Sequence, residues 1–285
     1  MKKKLLFAGL VLVALSISAR TFARAEDKFI LLASTIGPVD AGIVPLLEER
    51  FEKESGIRVR HVGAGTGEAL KMAEQGSFDL VLVHAKALEE KFVNNGFGTK
   101  RFPLMYNDFV IVGPDTDPAG IKGTKSAAEA LKKIAATGAT FVSRGDNSGT
   151  HVAEMELWTK AGLKPAGSWY AVYEKGNEGN GPTLKYAAQK GAYTFMDRAT
   201  FLSLQQSIKL VVLVEKDDAL LNFITLIPVN QKKFARANYQ DAMTFVKWLT
   251  DPANGQMIIE DFGKEKYGAP LFFPNSDEWR AANKK

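Results

Sequence analysis

Phe141-Val142-Ser143-Arg144-Gly145-Asp146-Asn147-Ser148-Gly149-Thr150-His151 opens as a short apolar strand, turns through small polar residues and leads into a helical pattern. Strand, tight loop and helix in that order are one βα step of an α/β fold. The loop also aims free backbone N–H groups, three hydroxyls and one guanidinium at one place, which are the parts of an anion site at a helix N-terminus.

The same alternation extends in both directions. Phe29 to Ala33 is a short apolar run, and Gly42 to Glu54 carries helix-spaced Ile43, Leu46, Leu47 and Phe51. Strand patterns over Ile57 to Val62 and Asp79 to His84 flank a helix over Leu70 to Gln75. Repeated βα units predict a largely parallel sheet in this first region. Phe109 to Val112 is a further strand, closed by Gly113-Pro114, and a second α/β region follows. It holds helices over Ala127 to Ala136 and His151 to Ala161, with strands over Thr140 to Ser143 and Ala192 to Met196. A strand over Asn222 to Val229 leaves it, and helices over Gln240 to Leu249 and Gly255 to Phe262 return to the first region.

Two crossings between two α/β regions predict a two-lobed binding protein of type II-like architecture. Each lobe would hold a mixed, largely parallel sheet flanked by helices, with a ligand cleft between the lobes. The expected boundaries are 26–108 plus 226–285 for lobe 1 and 109–225 for lobe 2.

Composition sets the address. Lys2, Lys3 and Lys4 precede an apolar run from Leu5 to Ala19, and Ala23-Arg24-Ala25 has the form of a cleavage site. Residues 1–25 are expected to be a secretory signal peptide, since the apolar run is shorter than the ~20 residues of a spanning helix. The formal net charge is +5, and the segment carries five bases and no acid, so the remainder is close to neutral. A nucleic-acid partner, which needs a basic face, is therefore not expected. The chain has no cysteine, which excludes disulfides, thiolate metal sites and cysteine nucleophiles. An exported, freely diffusing monomer of the periplasm fits these features.

Three strand-to-helix junctions share small residues and hydroxyls: Ser34-Thr35-Ile36-Gly37, Gly63-Ala64-Gly65-Thr66-Gly67, and Ser143 to Thr150. Taken singly, Ser34, Thr35 or Thr150 is an ordinary helix cap, and the glycines permit a turn. Three such ends facing one cleft would surround an anion with neutral donors, with Arg144 supplying a full charge. The glycine spacing fails the dinucleotide fingerprint because Glu68 stands where a third glycine is needed, and Gly120 to Lys125 fails the P-loop spacing. Ser148 lacks the flanking glycines of a nucleophile elbow. His61, His84 and His151 are too scattered for a metal site, and structural roles are expected for them. No enzyme, cofactor or protein-bound metal is expected.

Ala64 to Leu70, Asp79 to Ala85, Met105 to Pro114 and Phe141 to His151 resemble the tungstate-binding periplasmic proteins of ABC importers. Gly167 to Tyr170, Ala192 to Arg198 and Gly268 to Phe272 extend that resemblance over nearly the whole chain beyond residue 25. It implies a solute-binding protein that closes on tungstate or molybdate and delivers it to a membrane permease. By position in the family's motifs, the implied ligand-binding residues are Ser34, Thr35, Thr66, Ser143, Arg144, Ser148 and Thr150. The family's first loop is typically a Thr-Thr-Thr-Ser run, and here Ile36 and Gly37 replace two of its hydroxyls. Two alternatives stay open: a phosphate carrier of the same fold, in which Asp146 would accept the proton of hydrogen phosphate, and a secreted phosphate-ester hydrolase. For a tungstate site, Asp146 should turn away from the anion and hold Arg144 or loop N–H groups.

Overall fold

The computed structural model describes residues 29–284. The expected leader, residues 1–25, lies outside the described residues. The strands are β1 (Phe29–Thr35), β2 (Arg58–Ala64), β3 (Leu80–Val83), β4 (Phe102–Gly113), β5 (Phe141–Ser143), β6 (Tyr170–Val172), β7 (Tyr193–Asp197), β8 (Val211–Val214), β9 (Leu221–Pro228) and β10 (Phe273–Pro274). The helices are α1 (Ile36–Asp40), α2 (Ile43–Ser55), α3 (Thr66–Ala73), α4 (Lys86–Asn94), α5 (Ala127–Thr137), α6 (Gly149–Lys160), α7 (Asn180–Lys190), α8 (Arg198–Leu204), α9 (Tyr239–Thr250), α10 (Gly255–Asp261), α11 (Lys264–Tyr267) and α12 (Asp277–Ala282).

The strands hydrogen-bond in the order β2-β1-β3-β9-β4-β7-β5-β6, with β8 and β10 also on β4. Pairing is parallel for β1 with β2 and β3, and for β5 with β6 and β7. It is antiparallel wherever β4 or β9 takes part. The fold is thus the expected α/β arrangement with a mixed sheet, and the parallel pairing is confined to the two groups of strands that carry the candidate junctions.

β4 joins the two groups. Its Phe102 to Asp108 portion pairs with β9, and from Phe109 onward it pairs with β7. Only the second portion is legible as a strand in the sequence, because Pro103, Asn107 and Asp108 interrupt the apolar pattern of the first. At the changeover Arg198, the first residue of α8, grips Asp108 with Nε at 2.8 Å from Oδ1, and its Nη2 lies 2.8 Å from Glu215 Oε2.

Alternation along the buried strands builds a separate core on each sheet face. Ile30, Leu32, Leu80 and Leu82 point to the face where α2 and α9 bring Leu47, Phe51, Phe245 and Leu249. Ala33, Val81 and Val83 point to the other face, against Leu70 and Phe92. Phe109 and Ile111 pack with Phe141, Trp158 and Phe195, whereas Val110 and Val112 pack with Leu184 and Met196. Each such Val, Leu, Ile, Met or Phe side chain stabilises the fold by roughly 1.5–3 kcal/mol through apolar burial. With both faces filled, only the strand ends remain open for binding.

Candidate functional site

The register sets the carboxyl ends of the parallel strands side by side. Ser34 of β1 is level with Gly63 of β2 and Leu82 of β3, and Thr35 is level with Ala64. In the other group Ser143 of β5 is level with Val172 of β6, and Val142 with Thr194 of β7. The residues after these ends, Thr66, His84 and Arg144, and Asp197 as the last residue of β7, are therefore carried out to the rim of the sheet.

The two rims meet at His84. Its carbonyl accepts a hydrogen bond from Thr66 Oγ1 at 3.0 Å. Its ring lies against Gly149, the first residue of α6, where an added Cβ would stand 2.9 Å from Cε1 and 3.2 Å from Nε2. The Gly-Thr-Gly junction and the Ser-Arg-Gly-Asp junction thus converge on one histidine. Burial pushes the His84 imidazole down to about 4, so the ring is neutral at pH 7. The sequence points to a merely structural role for this residue; its place at the end of a buried parallel strand was the available signal of something more.

The 143–150 loop is held by its own polar atoms. Gly145 and Asn147 take left-handed backbone, with φ of 65° and 58°. Arg144 donates from Nε to Gly176 O at 3.3 Å, from Nη1 to Asn180 Oδ1, and from Nη2 to Asp146 Oδ2 at 2.6 Å. Asn180 in turn donates to Asp197 at 2.6 Å, and Asp197 caps α8. Three of the five guanidinium N–H groups are thereby used, which fixes the plane of the fork and leaves two for a ligand.

Asp146 also accepts from the Ser148 N–H at 3.2 Å. It turns toward Arg144 and the loop backbone, the orientation a fully deprotonated anion requires. Burial works to raise its pKa, but the hydrogen bonds from Ser148 and the charge of Arg144 outweigh it and hold the carboxyl below its ordinary value. Asp146 therefore keeps its negative charge beside Arg144, and the net charge that the loop offers is smaller than a lone arginine would give.

Ser148 caps α6 by accepting from the His151 N–H at 3.4 Å, while His151 Nδ1 accepts the Asn147 N–H at 2.9 Å. That ring nitrogen faces the backbone rather than the Ser148 hydroxyl, so it supplies no base to Ser148. The N–H groups of Gly149 and Thr150 have no acceptor among the described residues. Thr150 and Thr35 are buried as residues, yet their hydroxyl oxygens keep some exposure and have no partner among the described residues. The Gly149 and Thr150 groups stand at the positive end of a twelve-residue helix, and the Thr35 hydroxyl stands at the end of β1; these are the donors left without an acceptor.

The remaining candidates are committed elsewhere. Ser34 is buried and its hydroxyl donates to the Thr35 carbonyl at 3.0 Å. Thr66 spends its hydroxyl proton on His84. Ser143 is buried with its hydroxyl 2.7 Å from Glu154 Oε2. Glu154 is a residue that sequence reading passed over, although it lies one turn before Trp158 on the inward side of α6 and so shares its face. Ile36, which replaces a family hydroxyl, leans over β2, where a Cβ on Gly63 would meet its Cδ1 at 2.6 Å.

The family model described as a PBP superfamily domain matches residues 21–253. A tungstate-binding protein TupA from Peptoclostridium acidaminophilum is 43% identical over 249 residues, covering 87% of this chain and 86% of the relative. The chain belongs to the TupA family of the PBP superfamily. Among solved structures, the tungstate-binding protein TupA from Desulfovibrio alaskensis G20 superposes with a TM-score of 0.80 at 42% identity, covering 88% of this chain and 100% of that one. A tungstate ABC transporter structure from Geobacter sulfurreducens gives a TM-score of 0.71 at 44% identity, over 82% of this chain and 98% of the other. In this TupA-family chain, three of the motifs that carry the resemblance meet around His84.

Proposed function

We propose that this chain captures tungstate in the cleft between its two sheet groups and delivers it to an ABC permease. The observation that carries the reading is the contact of Gly149 with His84, which sets the free N–H groups of α6 opposite the ends of β1, β2 and β3. Thr35, Thr150 and the two spare N–H groups of Arg144 are the donors assigned to the anion. Ser143, Ser148, Thr66 and Ser34 line or brace the same junctions. Hydrogen bonds from a charged donor are roughly twice as strong as neutral ones, so Arg144 carries the largest single share. The anion is cargo, and the protein performs no chemistry on it.

The leader over residues 1–25 directs the chain to the periplasm, where it works as a monomer. The lobes are taken as 26–108 plus 226–285 and 109–225. The partner exchange of β4 between Asp108 and Phe109 supports the first boundary, and the pairing of β9 from Leu221 draws the return crossing a few residues earlier. Tungstate is favoured over hydrogen phosphate because both oxygens of Asp146 are already engaged by the loop, leaving the carboxylate poorly placed to take a ligand's proton.

Calorimetric titration with tungstate, followed by competition with molybdate, sulfate and phosphate, tests the reading. Tungstate should bind with a stoichiometry of one, and phosphate should fail to displace it. Tight phosphate binding with no heat from tungstate would overturn the proposal.

A further inference from the structure

Behind the anion loop stands a carboxyl group that anion binding as described above does not use. Glu154 is 2% exposed, and its two oxygens are treated differently. Oε1 receives the Tyr170 hydroxyl at 2.7 Å and the Trp158 indole N–H at 3.1 Å. Oε2 faces only the Ser143 hydroxyl, at 2.7 Å. Indole N–H can only donate, so Oε1 is the acceptor oxygen in either protonation state. Oε2 is the oxygen free to carry a proton.

The direction of the Ser143 hydroxyl follows from that proton. With Glu154 ionised, Ser143 must donate to Oε2, and toward the loop it can present only lone pairs. With Oε2 protonated, the carboxyl donates to Ser143 Oγ, and the hydroxyl proton is released from Glu154 to turn toward the Tyr170 oxygen or, when an anion fills the loop, toward the anion. A dianion in the cleft therefore gains a donor and loses a nearby negative charge when one proton enters Glu154. Both effects act in the same sense.

We propose that Glu154 is a positioning residue that takes up a proton from solvent when the dianion binds, switching Ser143 from acceptor to donor. The proposal rests on the anion reading given above. Burial supports it by pushing the Glu154 carboxyl up to about 7, where a modest change in surroundings moves it between states. Its surroundings leave the titration to Glu154 itself. Tyr170, the titratable group on β6 in contact with it, is raised by burial and stays neutral. Tyr193 on β7 is engaged with Asp117 and the Ala119 N–H. On α5, Glu129 pairs with Lys132, and Lys133 reaches the Gly120 carbonyl. In the loop Arg144 is paired with Asp146, and His151 on α6 holds the Asn147 N–H.

Calorimetry of tungstate binding at pH 8 in buffers of differing ionisation enthalpy reads the proton directly. Wild type should take up between one half and one proton per anion, and its affinity should fall up to tenfold per pH unit above 7. Glu154→Gln, whose amide donates to Ser143 permanently, should show no uptake and the same affinity at pH 6.5 and 8.5. Ser143→Ala provides the second test should the glutamine variant fail to fold: it should bind more weakly, with proton uptake and pH dependence reduced to the part that the Glu154 charge alone supplies. Wild type binding tungstate without proton uptake, or with uptake unchanged in either variant, overturns the proposal while leaving tungstate capture intact. Absence of tungstate binding by wild type would instead remove the anion reading on which it stands.

Discussion

His84 and Gly149 touch across the gap between the two strand groups, and there is no room for a side chain at position 149: a Cβ there would come within 2.9 Å of the imidazole. Gly149→Ala therefore has to part the rims or displace His84, which Thr66 holds through the backbone. Binding of tungstate should weaken by tenfold or more, while the melting temperature changes by only a few degrees, because the contact lies at a rim rather than in a core. His84→Ala combined with Gly149→Ala should recover part of the loss, since the clash is gone. Equal affinity of the single variant and wild type in calorimetry would show that the rims do not need to meet there.

Arg144 is held by three different partners, so its charge cannot be replaced by a lysine that has no fork. Arg144→Ala should largely abolish tungstate binding, because it removes the charged donor and leaves Asp146 ionised and unpaired beside the site. Arg144→Lys should recover only a minor part of the affinity. Circular dichroism and thermal unfolding establish that both variants are folded, and titration calorimetry then reads the loss.

The parallel βα units were legible because their strands are apolar runs followed by glycine-rich turns, and the loop after Phe141 announces itself through its residues alone. The crossing was less legible. Phe102 to Asp108 belongs to β4 only because β9 pairs with it, and a strand that owes its existence to a distant partner leaves a weak local pattern. The roles of Thr66, His84 and Glu154 depend on contacts between elements: a hydroxyl reads as an anion donor until its acceptor is seen, and a lone histidine or glutamate carries no label of what it faces.

Glu154 also ties the stability of the unliganded protein to pH. Burial raises its folded-state pKa from the ordinary 4.5 to about 7, so the native chain holds this proton more tightly than the unfolded one. The contribution is full below pH 4.5 and is lost as pH rises through 7. A tenfold difference in proton affinity is worth about 1.4 kcal/mol, which makes the loss on the order of 3 kcal/mol. Urea unfolding from pH 5 to 8 should show wild type losing stability from this group, and Glu154→Gln should lack that component. A difference between the two proteins that stays constant over the range would contradict the assignment.

Arg198 and Asp108 stand where β4 changes partner, and both are largely withdrawn from water, with side-chain exposures of 17% and 10%. Arg198 satisfies both Asp108 oxygens and also reaches Glu215, and these bonds keep its own proton bound more firmly than usual. Removing the guanidinium leaves a buried carboxylate with its charge uncompensated, which costs about 3–5 kcal/mol for such pairs. Arg198→Ala should lower the urea midpoint accordingly. Asp108→Asn together with Arg198→Ala should cost less than Arg198→Ala alone, because the stranded charge is gone. Asp108 sits on the strand that runs through both sheet groups and Arg198 ties the start of α8 to it, so tungstate affinity should drop along with stability in the single variant. If the double variant proved as unstable as the single one, packing of the arginine side chain rather than charge pairing would be what holds the changeover together.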